Sequence, residues 1–181
     1  MNRKFRKAAL SDKEAVYSLF QSAQAKLESW GNYMWSKGYP SQDDFNHDIE
    51  EGQMILVEED DKIVASISYN LDPLTYFYWE SKDEEKLEKV FKAAGFSKDE
   101  KVIIPERLMV HPDYQGKGIA TSLFAYLHEA FPEHSWLYAV FLSDTNALRL
   151  YRHLGYTEIG VFPDFEWGEA AKECTVFAKK W

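Results

Sequence analysis

A single cysteine, Cys174, stands in this chain of 181 residues, so no disulfide can close within it. No stretch approaches the roughly 18 apolar residues of a membrane-spanning helix. The opening residues MNRKFRKAAL lack an apolar core long enough for a secretory leader. The expectation is a reduced, cytoplasmic protein without a membrane partner. Basic residues are in deficit, with 21 Lys and Arg against 30 Asp and Glu and a formal charge of −9. A broad nucleic-acid surface, which needs clustered Lys and Arg, is therefore not expected. Acidic chains of this kind more readily meet cations or small molecules. Internal repeats and low-complexity segments are absent as well.

What remains is globular material. Apolar residues make up 45 % and charged residues 28 %, a balance unlike that of a disordered tail. The length suits one domain with a substantial core. A first strand is expected over Lys4 to Leu10. SDKE at Ser11 to Glu14 has the spacing of a helix capping box, and Val16, Leu19, Phe20, Ala23, Leu27 and Trp30 follow at helical intervals up to Gly31. A shorter helix should start at Ser41, with Asp44 three residues on, and stop near Gly52. QMILVEEDDKIVASISYN reads as two strands joined at Asp60-Asp61-Lys62. That turn is a weaker signal than Asn-Gly and leaves the register open.

Residues 71–101 interrupt this order with an aromatic cluster, LTYFYWE, and a charged helix whose stripe is Leu87, Val90, Phe91 and Ala94, ending at Gly95. They are read as an insertion. A strand over Val102 to Val110 follows, then a glycine turn, then a helix with Ile119, Ala120, Leu123, Phe124, Leu127, Ala130 and Phe131 on one face, closed by Pro132. WLYAVFL, Trp136 to Leu142, is a continuous apolar run suited to a central strand. Asp144 or Thr145 can cap a helix carrying Ala147, Leu150, Tyr151 and Leu154, with Gly155 as its stop. Two more strands are expected near Tyr156 to Val161 and Glu173 to Lys179.

The turn, HPDYQGKGIA at His111 to Ala120, carries the chemistry. A strand, a glycine loop and a helix N-terminus in succession aim unpaired N–H groups and the positive end of a helix dipole at one place, a natural anion site. It is not a P-loop, because Lys117 lies between the glycines instead of following G-x-x-x-x-G. It is not a dinucleotide fingerprint either, because position 121 is Thr121 and no acid stands about 20 residues beyond. Alone, a G-x-G between strand and helix is usually only geometry.

Gln115-Gly116-Lys117-Gly118-Ile119-Ala120 does match Q/R-x-x-G-x-G/A. In this stretch the sequence resembles the GNAT superfamily of acyl-CoA-dependent N-acetyltransferases, whose corresponding loop binds the coenzyme A pyrophosphate. RLMVHPDYQGKGIATSLFAYLHE is similar to the family's fourth strand, loop and third helix. SDTNALRLYRHLGY is similar to its second cofactor motif, with Asn146 and Tyr151 at the matching positions. The resemblance implies an α/β (α+β) GNAT-like single domain over residues 1–181, with a mixed central sheet of six to seven strands flanked by helices and a helical insertion at 71–101. It also implies acetyl-CoA as cosubstrate, no metal, and direct transfer of the acetyl group to a primary amine.

Under that resemblance Gln115 to Ala120, the main chain of Leu108, Met109 and Val110, and Asn146 would hold coenzyme A, while Lys117, Arg149 and Arg152 could add positive charge nearby. Tyr151 matches the tyrosine that donates to the departing sulfur, although its helical spacing equally suits a core residue. Glu106 is the first choice of base, because similar enzymes often place an acid, or a water held by one, near this strand. The competing reading of Glu106 is a solvated residue after Pro105. His111 is the reserve. Cys174, in an apolar-flanked strand, is assigned no role. WGNYMWSKGYPSQDDFNHDIEE and FPDFEWG combine aromatic rings with carboxylates, a suitable enclosure for a cationic small-molecule amine. A protein or peptide acceptor, or a non-catalytic coenzyme A binder, stays open, and so does a homodimer.

Overall fold

The computed structural model describes residues 3–36, 38–78, 81–165 and 168–180, excepting the side chains of 168–170. Trp79 and Glu80 of LTYFYWE, Glu166 and Trp167 of FPDFEWG, and Lys37 lie outside the described residues. Among the described residues seven strands hydrogen-bond in the order β1-β2-β3-β4-β5-β7-β6. The chain divides into two compact units, Met1–Tyr69 with Glu106–Ala130 and Asn70–Pro105 with Phe131–Trp181. β4 (Val102–Val110) gives residues to both.

In the first unit β1 (Arg3–Lys7) pairs antiparallel with β2 (Met54–Glu59), and β2 with β3 (Lys62–Asn70). The hairpin turn is Asp60-Asp61, both left-handed at φ 52° and 61°. That is the twist a two-residue turn requires between right-twisted strands. The register left open by the turn shifts at Val57/Glu58, a bulge. α1 (Lys13–Ser29) buries Val16, Leu19, Phe20 and Ala23, and α2 (Gln42–Glu50) buries Phe45 and Ile49. With Met54, Leu56 and Met109 they form one apolar cluster, each helix presenting its stripe as the 3.6-residue period dictates. α5 (Ile119–Ala130) buries Ile119, Leu123, Phe124 and Leu127, and Tyr126 stacks on Phe5 with ring centroids 5.1 Å apart.

The two expected helix starts turn out differently. At α2 the capping box forms: Ser41 N and Oγ donate to the Asp44 carboxylate at 2.6 and 2.7 Å, and Asp44 N donates back to Ser41 Oγ. At α1 the box of Ser11 and Glu14 does not form. Asp12 is the N-cap and makes no cap bond into the helix. Its carboxylate accepts instead from Ala9 N at 2.7 Å and from both terminal nitrogens of Arg6 at 2.6 and 2.9 Å. A charged partner from β1 outcompetes the local cap.

The second unit holds α3 (Pro73–Phe77), α4 (Glu84–Ala94), β5 (Ser135–Phe141), α6 (Thr145–His153), β6 (Thr157–Gly160) and β7 (Cys174–Lys179). β5 runs parallel to β4 at Val102 and Ile103 and antiparallel to β7 along its length. It is an inner strand, as its apolar run implies. Residues 71–101 are integral to this unit's core: Phe77, Tyr78, Leu87, Val90, Phe91 and Phe96 are buried with Val102, Ile104, Leu137 and Val176. Gly95 ends α4 at φ 70°, with Phe96 N donating to Phe91 O, the closure that a left-handed residue makes available. Among the described residues no helix is long and apolar enough to cross a membrane.

Candidate active site

In the first unit β4 leads through His111 into a single 3-10 turn, Pro112–Tyr114, and then into the glycine loop and α5. Pro112 suits the first position of that turn because its missing N–H is not needed there. His111 N donates to Val64 O at 2.8 Å, pinning the loop's entry to β3. Gln115 Nε2 reaches back to Val110 O. Gly116 and Gly118 are left-handed at φ 74° and 73°, and a Cβ built on either would meet nothing within 4 Å. Glycine is therefore demanded here by backbone angle and not by crowding.

Among the described residues, the main-chain amides of Gly116, Lys117, Gly118, Ile119 and Ala120 donate no hydrogen bond. Residues 115–118 are exposed. Water satisfies such amides in the free protein, and an anion can replace that water. Lys117 adds a positive charge, its Nζ lying 4.5 Å from the centre of the Tyr114 ring. The arrangement fits a diphosphate without a basic side chain in direct contact. Leu108 and Val110 are half-buried, whereas Met109 turns into the apolar cluster of α1 and α2.

Glu106 lies in the same strand and is buried, not the solvated residue that Pro105 allowed. One residue on, Arg107 has φ 46°, a left-handed conformation inside a strand. Strand residues normally alternate between faces, and a left-handed residue breaks the alternation in the manner of a bulge. Accordingly Arg107 Nη1 comes within 3.1 Å of Glu106 Oε2. Arg107 Nε and Nη2 donate to the two oxygens of Asp48, on α2, at 2.9 and 2.7 Å, and Nη1 donates to the Tyr39 hydroxyl. Ser68 Oγ donates a further hydrogen bond to Asp48. Burial pushes the Glu106 carboxyl up to about 7; Arg107 opposes this and Asp48 and Asp44 reinforce it. A carboxyl so placed exchanges its proton near neutrality, as a general base must.

In the second unit Asp144 caps α6, accepting from Ala147 N at 3.0 Å. Asn146 is exposed in the first turn. α6 buries Leu148 and Tyr151, with Ala147, Leu150 and Leu154 only half-buried. Tyr151 is fully enclosed, its ring centroid 4.4 Å from Tyr138, 5.6 Å from Tyr156 and 5.8 Å from Phe177. Burial, the neighbouring Tyr138 and a hydrogen bond with it push the Tyr151 hydroxyl well above the usual tyrosine range. Cys174 is buried and its thiol is pushed up to about 12, which suppresses the thiolate. Among the described residues no group of three or more His, Cys, Asp or Glu could hold a metal ion.

The model of the Acetyltransferase (GNAT) family matches residues 14–156. The chain belongs to the GNAT family of acetyltransferases. Solved structures agree on the fold. A GNAT-family acetyltransferase from Streptococcus agalactiae is 17 % identical over 99 % of this chain and 95 % of its own, with a TM-score of 0.76. PaiA N-acetyltransferase from Thermoplasma acidophilum, in complex with coenzyme A, is 12 % identical over the whole of both chains at 0.68. The ribosomal-protein-S18-alanine N-acetyltransferase from Escherichia coli is 15 % identical over 98 % of this chain and 91 % of its own at 0.60. No curated protein matches the sequence.

In this GNAT chain the first unit brings Glu106, Leu108 to Val110 and Gln115 to Ala120 onto one strand–turn–helix, while Asn146 and Tyr151 share α6 in the second. Sequence reasoning missed Asp48, Arg107 and Tyr39. One signal was available: Asp48 sits between the core positions Phe45 and Ile49 on α2, an acid on an apolar stripe that needs a buried partner.

Proposed function

We propose that this GNAT acetyltransferase transfers the acetyl group of acetyl-CoA to a primary amine of a small molecule by direct attack. The observation that carries the reading is the row of five amides from Gly116 to Ala120, at the start of a 12-residue helix and, among the described residues, without a hydrogen-bond acceptor. These amides would take the pyrophosphate of coenzyme A, and the main chain of Leu108 to Val110 would pair with the pantetheine amides as an added strand. Asn146 would contact the same arm.

The protein's own chemistry concerns two protons. An alkyl amine of pKa about 10.4 is neutral in only about one molecule in 2,500 at pH 7, equivalent to roughly 4.6 kcal/mol. Glu106, with its proton affinity centred near 7, is the group to accept the amine's proton. Tyr151 would give a hydrogen bond to the departing sulfur. Its raised pKa makes complete proton transfer to a thiolate more uphill than in water, so donation without transfer is its role.

The preference for a cationic small amine rests on the first unit, where Trp30, Tyr33 and Tyr39 are exposed close in sequence to Asp43 and Asp44. Aromatic faces and carboxylates attract ammonium groups. A peptide acceptor is the second reading, favoured by the structural likeness to an enzyme named for a ribosomal-protein alanine. Thiol release from acetyl-CoA over a panel of polyamines, amino acids, aminoglycosides and N-terminal peptides separates them. Turnover of small amines is expected. Turnover of peptides alone would select the second reading, and no turnover with tight coenzyme A binding would leave a non-catalytic binder.

A further inference from the structure

Arg107 is the cation nearest Glu106, yet it spends none of its hydrogen bonds there. Two of its three donated bonds go to Asp48 and the third to the Tyr39 hydroxyl, while Glu106 is left an ion-pair contact at 3.1 Å. The side chains of Arg107 and Asp48 are 11 % and 3 % exposed, so their fork is screened little by solvent. Asp48 Oδ2, which Arg107 Nε reaches, also accepts from Ser68 Oγ on β3. The clamp also falls on a non-glycine strand residue with a left-handed backbone, a conformation that persists only where surrounding contacts over-determine it.

We propose that Asp48 and Tyr39 are positioning residues for the Glu106 carboxyl: by occupying the hydrogen bonds of Arg107 they prevent a hydrogen-bonded Arg107–Glu106 salt bridge and leave Glu106 free to exchange a proton. The catalytic consequence rests on the reading of Glu106 as base. Among the described residues the charged and titratable groups acting on Glu106 are Arg107 on its own strand, Asp48 and Asp44 on α2, and Tyr39 from the segment before α2. The two acids raise its proton affinity and Arg107 lowers it. Removing the partners of Arg107 turns the guanidinium toward Glu106, and the carboxylate is stabilised.

The test reads the Glu106 carboxyl directly, by carbon-13 NMR of the full chain labelled at glutamate, with the signal assigned by its loss in Glu106→Gln. In Asp48→Asn the titration midpoint falls by about one pH unit or more, and in Tyr39→Phe it falls by less. Asp48→Glu, which restores a carboxylate, returns it toward wild type. Tyr39 is half-exposed, so Tyr39→Phe keeps the test decisive if Asp48→Asn does not fold. A midpoint unmoved in folded Tyr39→Phe overturns the proposal, since Asp48→Asn alone lowers it by removing a charge. The NMR midpoint needs no turnover. A midpoint that falls in Tyr39→Phe, which removes no charge, while the acid limb of kcat/KM stays fixed therefore upholds the positioning and removes Glu106 as the base.

Discussion

Gln115 Nε2 donates a 3.1 Å hydrogen bond to the carbonyl oxygen of Val110, so the side chain that opens the glycine loop is tied to the last residue of β4. The tie holds the start of the loop against the end of the strand. Gln115→Ala should weaken coenzyme A binding several-fold in titration calorimetry with little change in melting temperature, since the residue is exposed. Gly118→Ala should do more. It forces a side chain onto φ 73°, at a cost of about 1–2 kcal/mol in the folded state, and it turns the amides away from the ligand. Retention of wild-type affinity by Gly118→Ala would remove the loop as the pyrophosphate site.

Glu106→Gln should lower kcat/KM at pH 7 by roughly 100-fold or more while coenzyme A affinity is unchanged. Its stability effect has the opposite sign. The Glu106 pKa is raised in the folded state, from 4.5 to about 7. Its contribution is therefore intact below pH 4.5, is lost as pH rises through about 7, and by pH 8 costs on the order of 3 kcal/mol. Glutamine carries no such penalty. Urea unfolding at pH 5 and pH 8 should show the variant gaining on wild type at the higher pH.

Tyr151→Phe should reduce kcat at least tenfold and leave acetyl-CoA affinity nearly intact. The buried ring is retained, so unfolding should shift only by about 1 kcal/mol for the lost hydrogen bond with Tyr138. A variant with full turnover would return Tyr151 to the status of a core residue.

The β2–β3 turn offers a stability gain unconnected with activity. Asp60 and Asp61 both hold positive φ, and the Lys4–Asp61 ion pair is long and exposed, worth little. Asp60→Asn with Asp61→Gly should raise stability by about 1 kcal/mol, which for a chain of this size is about 2–4 °C in a thermal scan.

Local chemistry was readable in the sequence where its partners were local. The Ser41–Asp44 box, the Gly95 and Gly155 stops, the Asp144 cap and the strand–glycine turn–helix at Gln115 all follow from residues a few positions apart. Asp12 escaped because its partner, Arg6, comes from another element. The spacing predicts an α6 stripe of Ala147, Leu150, Tyr151 and Leu154, yet Leu148 is the leucine that is buried. Glu106 could be named as a candidate, but its burial and its tie to Arg107 depend on a left-handed arginine that no pattern announces. Asp48 and Tyr39 then arrive from α2 and the segment before it, 59 and 68 residues away along the chain.

Because Phe77, Tyr78, Leu87, Val90, Phe91 and Phe96 fill the interior of their unit, the stretch between β3 and β4 is no detachable cassette. Excising it to make a minimal enzyme, or exchanging it with a relative's to graft new selectivity, would strip the strands beneath of their cover. Engineering of acceptor choice should therefore begin with the exposed rings at Trp30 and Tyr33, where a change of side chain leaves no hole behind.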